Sequence, residues 1–134
     1  MLPTFIGVPT ERAYALLFDN SLSLVDLFHV GDGTVSRVEF APRRILERAL
    51  QKKAAAVVLV HNHPGGVAIP SGADLDLTRQ ILDLLHVVEI ELLDHFIIAG
   101  SRYTSIMSSY LPRNQVEPAA SPLFHSFRSQ TPNT

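Results

Sequence analysis

The sequence predicts an α/β domain in which a mixed β-sheet is flanked by two main helices. Three observations point there. Short apolar runs around a polar turn open the chain. Two segments with apolar residues at helical spacing follow. Between them lies Ala54 to Val60, a continuous apolar run that suits a strand buried on both faces.

The elements read in order. Ala13 to Phe18 and Leu22 to Val30 flank Asp19-Asn20-Ser21, the pattern of a β-hairpin. Gly31-Asp32-Gly33 is a second turn signal, and Thr34 to Phe40 suits a short extended segment. Pro42 fits the first turn of a helix, where its missing N–H costs little. Ile45, Leu46, Ala49 and Leu50 then give that helix an apolar face over Pro42 to Lys53. After the buried strand, His61 to Pro70 is turn-rich. A second helix runs from Ser71 to His86, with Leu75, Thr78, Ile81, Leu82 and Leu85 inward. Val87 to Ala99 reads as strand interrupted by Asp94-His95, Gly100-Ser101 as a turn, and Tyr103 to Met107 as a last strand. The domain spans 1–111. Residues 112–134 are rich in Pro, Ser, Asn and Gln and read as a flexible tail, with Leu123, Phe124 and Phe127 as a docking patch.

Composition narrows the chemistry. The 134 residues are 46% hydrophobic and 18% charged, enough for one domain with a sizeable core. The net charge of −2 gives no overall basic signal for nucleic acid. There is no cysteine, which excludes disulfides, thiolate metal sites and a cysteine nucleophile. No secretory signal or membrane-length apolar run is legible, so a cytoplasmic protein is expected.

The informative stretch begins at the end of the buried strand. His61 and His63 are two residues apart, so on a strand they face one side. Asp74, in the first turn of the next helix, is a plausible third ligand for zinc, which accepts imidazole and carboxylate donors and leaves a water position open in catalytic sites. Pro64, Gly65 and Gly66 would let the loop fold back. Ser71 and Asp74 equally fit a helix start without metal, because Ser followed three residues later by an acid resembles a capping box.

The pattern His-x-His, seven residues, Ser-x-x-Asp resembles the JAMM (MPN-plus) metalloprotease motif. The nearer likeness is to the RadC family of JAMM-like proteins. It rests on Gly33-Thr34, Pro42-Arg43, Ala54-Ala55-Ala56, His61-Asn62-His63-Pro64-Gly66, Pro70-Ser71, Asp74, Thr78, Leu92-Leu93-Asp94-His95, Gly100 and Tyr103. The likeness covers Glu11 to Ser105. It implies a JAMM/MPN-like, cytidine-deaminase-like fold and Zn2+ held by His61, His63 and Asp74. It also implies that Ser71 stabilises an oxyanion and that an upstream glutamate acts as base. Glu11, ahead of the first strand, matches that place. Glu39 stays open, while Glu47 suits an i, i+4 pair with Arg43. An exposed strand-end acid is the other reading of Glu11.

The resemblance implies hydrolysis of peptide or isopeptide bonds in a protein or peptide substrate. The second reading is a nucleic-acid-associated protein of repair or mobile-element biology, and the third is a non-catalytic interaction module. RadC-like proteins often carry a helix-hairpin-helix region ahead of this domain, and no counterpart is legible here. Arg44, Arg48 and Lys52 recur every four residues as a basic stripe that suits phosphates or, more simply, a solvated helix face. Asp94 and His95 are expected to hydrogen-bond within the fold. His29, His86 and His125 are expected to be structural or surface residues.

Overall fold

The structure, a computed structural model, describes residues 11–32, 42–111 and 122–130. Strands β1 (Arg12–Phe18), β2 (Leu24–Asp32), β3 (Ala56–Asn62), β4 (Glu91–Ala99) and β5 (Arg102–Ser105) form one mixed sheet in the order β2-β1-β3-β4-β5. Helix α1 (Pro42–Gln51) lies between β2 and β3 in sequence, and α2 (Gly72–Val87) between β3 and β4. The turn α3 (Ile106–Ser109) follows β5, and α4 is Pro122–Ser129. Among the described strands only β3 and β4 pair in parallel, joined by the crossover through α2. The expected α/β class, mixed sheet and two main helices are all present.

The core has two halves, one on each face. Ala13, Ala15 and Leu17 of β1 and Val57 and Leu59 of β3 pack beneath Ile45, Ala49, Leu77, Ile81 and Leu85 of α1 and α2. The alternate residues Leu16, Val58 and Val60 point to the other face, where Leu93, Phe96, Leu123 and Phe127 meet them. All seven residues of β3 are buried, as its unbroken apolar run predicts.

Several boundaries differ from the sequence reading. β3 starts two residues later than expected, because Ala54 closes the end of α1 with a hydrogen bond to Ala49 O (2.9 Å), after Lys53 takes φ +54°. As a result His61 and Asn62 belong to the strand. β2 runs through Gly31-Asp32, which were expected to turn. Val87 belongs to α2 rather than to β4, since tertiary burial of Leu85 and Ile90 outweighs the β-preference of the two valines. Ser105 caps a helical turn over Ile106–Ser109 where the strand was expected to continue. Thr34–Phe40, Glu39 and the side chains of Phe124 and His125 lie outside the described residues.

Within the segment read as a tail, Pro122–Ser129 forms a helix on the sheet. Leu123 and Phe127 pack on the second core half, as the docking patch anticipated. Arg128 reaches the fully buried Asp94 at 3.2 Å. Burial pushes the Asp94 carboxyl up, against the lowering effect of hydrogen bonds from Ser105 and backbone and of Arg128. Among the described residues no helix is long and apolar enough to cross a membrane.

Arg44 and Arg48 of the basic stripe contact β2. Arg44 donates to Val30 O at 2.6 Å, and Arg48 binds Asp26 at 2.6 Å while lying over the Phe28 ring. These contacts hold α1 against β2. Glu47 pairs with Arg43 at 3.6 Å, and His29 with Asp32 at 2.8 Å, while His86 is exposed.

Candidate metal centre

The site sits at one end of the sheet, where β1 begins and β3 finishes. His61 follows Val57 and Leu59 on the same face of β3. It therefore points toward the side covered by α2, and its side chain is fully buried. His63 is the first residue beyond β3, held by its backbone N–H on Ile98 O at 2.8 Å. Gly66, at φ +82°, turns the following loop, and its N–H returns to His63 O. Thr104 of β5 then holds the loop through Ala68 O.

That loop delivers Ser71 as the N-cap of α2. Ser71 Oγ accepts from Asp74 N–H at 3.0 Å, and Asp74 Oδ2 accepts from Ser71 N–H at 2.8 Å. Asp74 therefore belongs to the capping box and to the histidine cluster at once: the cap fixes its rotamer while its carboxylate faces the histidines. The cap bond consumes a lone pair of the Ser71 hydroxyl and leaves its proton free to donate.

The donor atoms converge. His61 Nε2 and His63 Nε2 are 3.1 Å apart. Asp74 Oδ1 lies 3.3 Å from His61 Nε2, and Asp74 Oδ2 lies 3.1 Å from His63 Nε2. Zinc–nitrogen bonds of about 2.0–2.1 Å set neighbouring corners of a tetrahedron roughly 3.3 Å apart, so these spacings fit that donor set. Glu11 Oε1 stands farther back, at 3.9 Å from His61 Nε2 and 3.6 Å from His63 Nε2. Glu11, His61 and His63 form a group whose ligand atoms all lie within 4.8 Å of one another and could hold a metal ion. The sequence reading of Glu11 as an exposed acid does not describe this carboxylate, whose side chain is 16% exposed and faces both rings.

Charge is balanced tightly here. Burial pushes the Asp74 carboxyl up, but hydrogen bonds with His61 and His63, the charge of His61 and the Ser71 N–H outweigh it and hold the group far below the carboxylate range. The Asp74 hydrogen bond raises His63 above the usual imidazole value, against burial. Burial raises Glu11, against the two histidines.

Three supporting residues carry no assigned role from the motif. Asn62 Oδ1 accepts the Arg12 N–H, which pins the start of β1 and so the placement of Glu11. His95 Nε2 lies 2.7 Å from His61 Nδ1, and His95 Nδ1 lies 2.7 Å from Thr78 Oγ1. The expectation that Asp94 and His95 hydrogen-bond within the fold holds, with the two residues serving opposite faces of the sheet. A bulge decides this. Leu92 and Ile97 both join the helix-covered core half although five residues apart, because the register slips by one residue opposite Val57/Val58. Without that extra residue His95 would face away from His61. The available sequence signal was a histidine buried in an otherwise apolar strand.

Comparison with known proteins gives consistent relatives. The family model for the RadC-like JAB domain matches residues 1–111. A UPF0758 protein of Bordetella parapertussis is 43% identical over 96 residues, covering 72% of this chain and 43% of the relative. A UPF0758 protein of Alcanivorax borkumensis is 38% identical over 102 residues, 76% of this chain and 46% of the relative. One from Vibrio campbellii is 41% identical over 95 residues, 71% of this chain and 42% of the relative. The chain thus spans less than half the length of these curated relatives.

Proposed function

Because this chain belongs to the RadC-like JAB domain family, we propose that it is a zinc-dependent hydrolase of the JAMM type that cleaves peptide or isopeptide bonds. The observation that carries the proposal is the clustering of His61, His63 and Asp74 side-chain donors at 3.1–3.3 Å, with Glu11 Oε1 at 3.6–3.9 Å from the same two ring nitrogens. Zinc, when bound, supplies Lewis acidity that polarises a carbonyl and brings the pKa of water near neutrality.

The chain's own residues supply the rest. His61, His63 and Asp74 would hold the metal, with the Glu11 carboxylate beside both rings. Glu11 takes the proton from the attacking water and returns it to the leaving amine. Its raised carboxyl pKa suits that exchange, since a stronger base accepts the proton more readily. Ser71 donates its free hydroxyl proton to the oxyanion that develops on the carbonyl, while its cap bond holds the oxygen in place.

Glu11→Gln tests the division of labour. The variant should bind one zinc with the affinity of the unsubstituted chain and lose turnover of ubiquitin-like isopeptide or peptide reporters by about 10²-fold or more. Full turnover by the variant would remove Glu11 as the base. Loss of zinc binding would make Glu11 a ligand instead.

A further inference from the structure

Resting on the zinc reading above, we infer that His95, supported by Thr78, is a positioning residue that presents His61 to the metal as its Nε2 ligand through a buried chain of hydrogen bonds. The chain runs from His61 Nδ1 to His95 Nε2 (2.7 Å), from His95 Nδ1 to Thr78 Oγ1 (2.7 Å), and from Thr78 Oγ1 to Asp74 O (2.7 Å). His61, His95 and Thr78 are all at most 1% exposed, so water is not an alternative partner along it.

Proton bookkeeping gives the chain its direction. A neutral imidazole has one N–H and one lone pair. His61 Nε2 is the atom that faces His63 and Asp74, so it must carry the lone pair to bind metal. The ring proton then sits on Nδ1, in a buried position, and needs an acceptor. His95 Nε2 is that acceptor. His95 then bears its own proton on Nδ1 and donates to Thr78 Oγ1. Thr78 can accept because its single hydroxyl proton is directed at the Asp74 carbonyl. The chain therefore begins at one ligand and ends on the backbone of another.

The acceptor is a neutral ring rather than the carboxylate that often backs a metal-binding histidine. No negative charge is added behind His61. Among the ligands Asp74 alone is anionic, so a bound dication keeps a net positive charge with which to polarise a carbonyl. The β4 bulge is what makes this possible, since it turns His95 toward α2 and under His61.

The test compares zinc affinity, by competition with a chromophoric chelator, in the unsubstituted chain and in His95→Leu, His95→Gln and Thr78→Val. Gln presents an acceptor oxygen and a donor nitrogen, so it can replace His95 in the chain; Leu cannot. The expected result is a 10- to 100-fold weaker Kd for His95→Leu, on the scale of other outer ligand supports. His95→Gln should recover to within a few-fold of the unsubstituted chain, and Thr78→Val should weaken binding in a folded protein. Long-range 1H–15N correlation should place the His61 proton on Nδ1 in the zinc-loaded chain. Equal affinity for the Leu variant, equal losses for Leu and Gln, or a His61 proton on Nε2 would overturn the inference. Failure of the unsubstituted chain to bind zinc would overturn the functional reading itself, a different outcome from a chain that binds zinc regardless of position 95.

Discussion

Asp74 has two roles that one near-isosteric change separates. In Asp74→Asn the amide oxygen can still accept the Ser71 N–H, and the bond from Asp74 N–H to Ser71 Oγ is untouched. The capping box, whose loss costs about 0.5–2 kcal/mol, is thereby kept. The amide nitrogen then replaces the oxygen 3.3 Å from His61 Nε2, and the oxygen that remains beside His63 is a neutral amide, so the site loses its anionic donor and zinc binds more weakly. Zinc at a hundred times its Kd stabilises a native protein by about 2.7 kcal/mol. For a domain of this size that corresponds to a rise of roughly 10 °C in Tm. The assay is thermal unfolding followed by circular dichroism, first in chelator and then in buffered zinc. The unsubstituted chain should gain that increment, and the Asn variant less than about a third of it. An Asn variant that gains as much as the unsubstituted chain would remove Asp74 from the ligand set. The reasoning that one carboxylate serves cap and metal together would fall with it.

Ser71→Ala should cost about 1 kcal/mol of stability through the lost cap, and turnover about 10²–10³-fold through the lost donor. Ser71→Asp should restore the cap in urea unfolding without restoring turnover; recovery of both would assign Ser71 to structure alone. In the metal-free chain His63 is raised above 6.5, so its stabilising contribution is complete below that value and is lost as pH rises through its folded pKa. Asp74 is depressed below 3.8, so its contribution is present above 3.8 and is lost as pH falls toward its folded pKa. Together these two groups favour the metal-free fold most between pH 3.8 and 6.5, and a stability difference between the unsubstituted chain and Asp74→Asn that does not shrink outside that range contradicts the assignment. Since zinc needs the neutral ring, chelator competition should show affinity already falling as pH drops through values above 6.5. Arg128→Met leaves Asp94 buried without its cation and should destabilise the chain by about 1–3 kcal/mol at neutral pH. The loss should shrink on acidification, as Asp94 with its raised pKa takes up a proton; a constant loss would mean the ion pair is not what holds α4.

What local chemistry can encode was legible in the residues themselves. The unbroken apolar run before His61 specifies a strand buried on both faces, because no polar residue interrupts it. The two-residue spacing of His61 and His63 and the Ser-x-x-Asp signal of a helix start place the ligand types on known elements, since strand and helix periodicity act over a few residues. Glu11 stands out only through the family resemblance, which expects a glutamate ahead of the first strand; no local pattern marks it.

Tertiary structure decided the rest. Whether Asp74 is only a cap or faces metal depends on where the loop from His63 to Ser71 delivers α2, and that is set by Thr104 and Ile98 from distant strands. Whether Glu11 is exposed depends on the antiparallel register that sets Ala13 beside His61. That Arg44 and Arg48 reach β2 depends on where α1 lies against that strand. His95 is the sharpest case. Its side of the sheet follows from one extra residue in the pairing of β3 with β4. A single slip in register reverses every side chain beyond it, and register belongs to two strands at once, so one strand's sequence does not contain it.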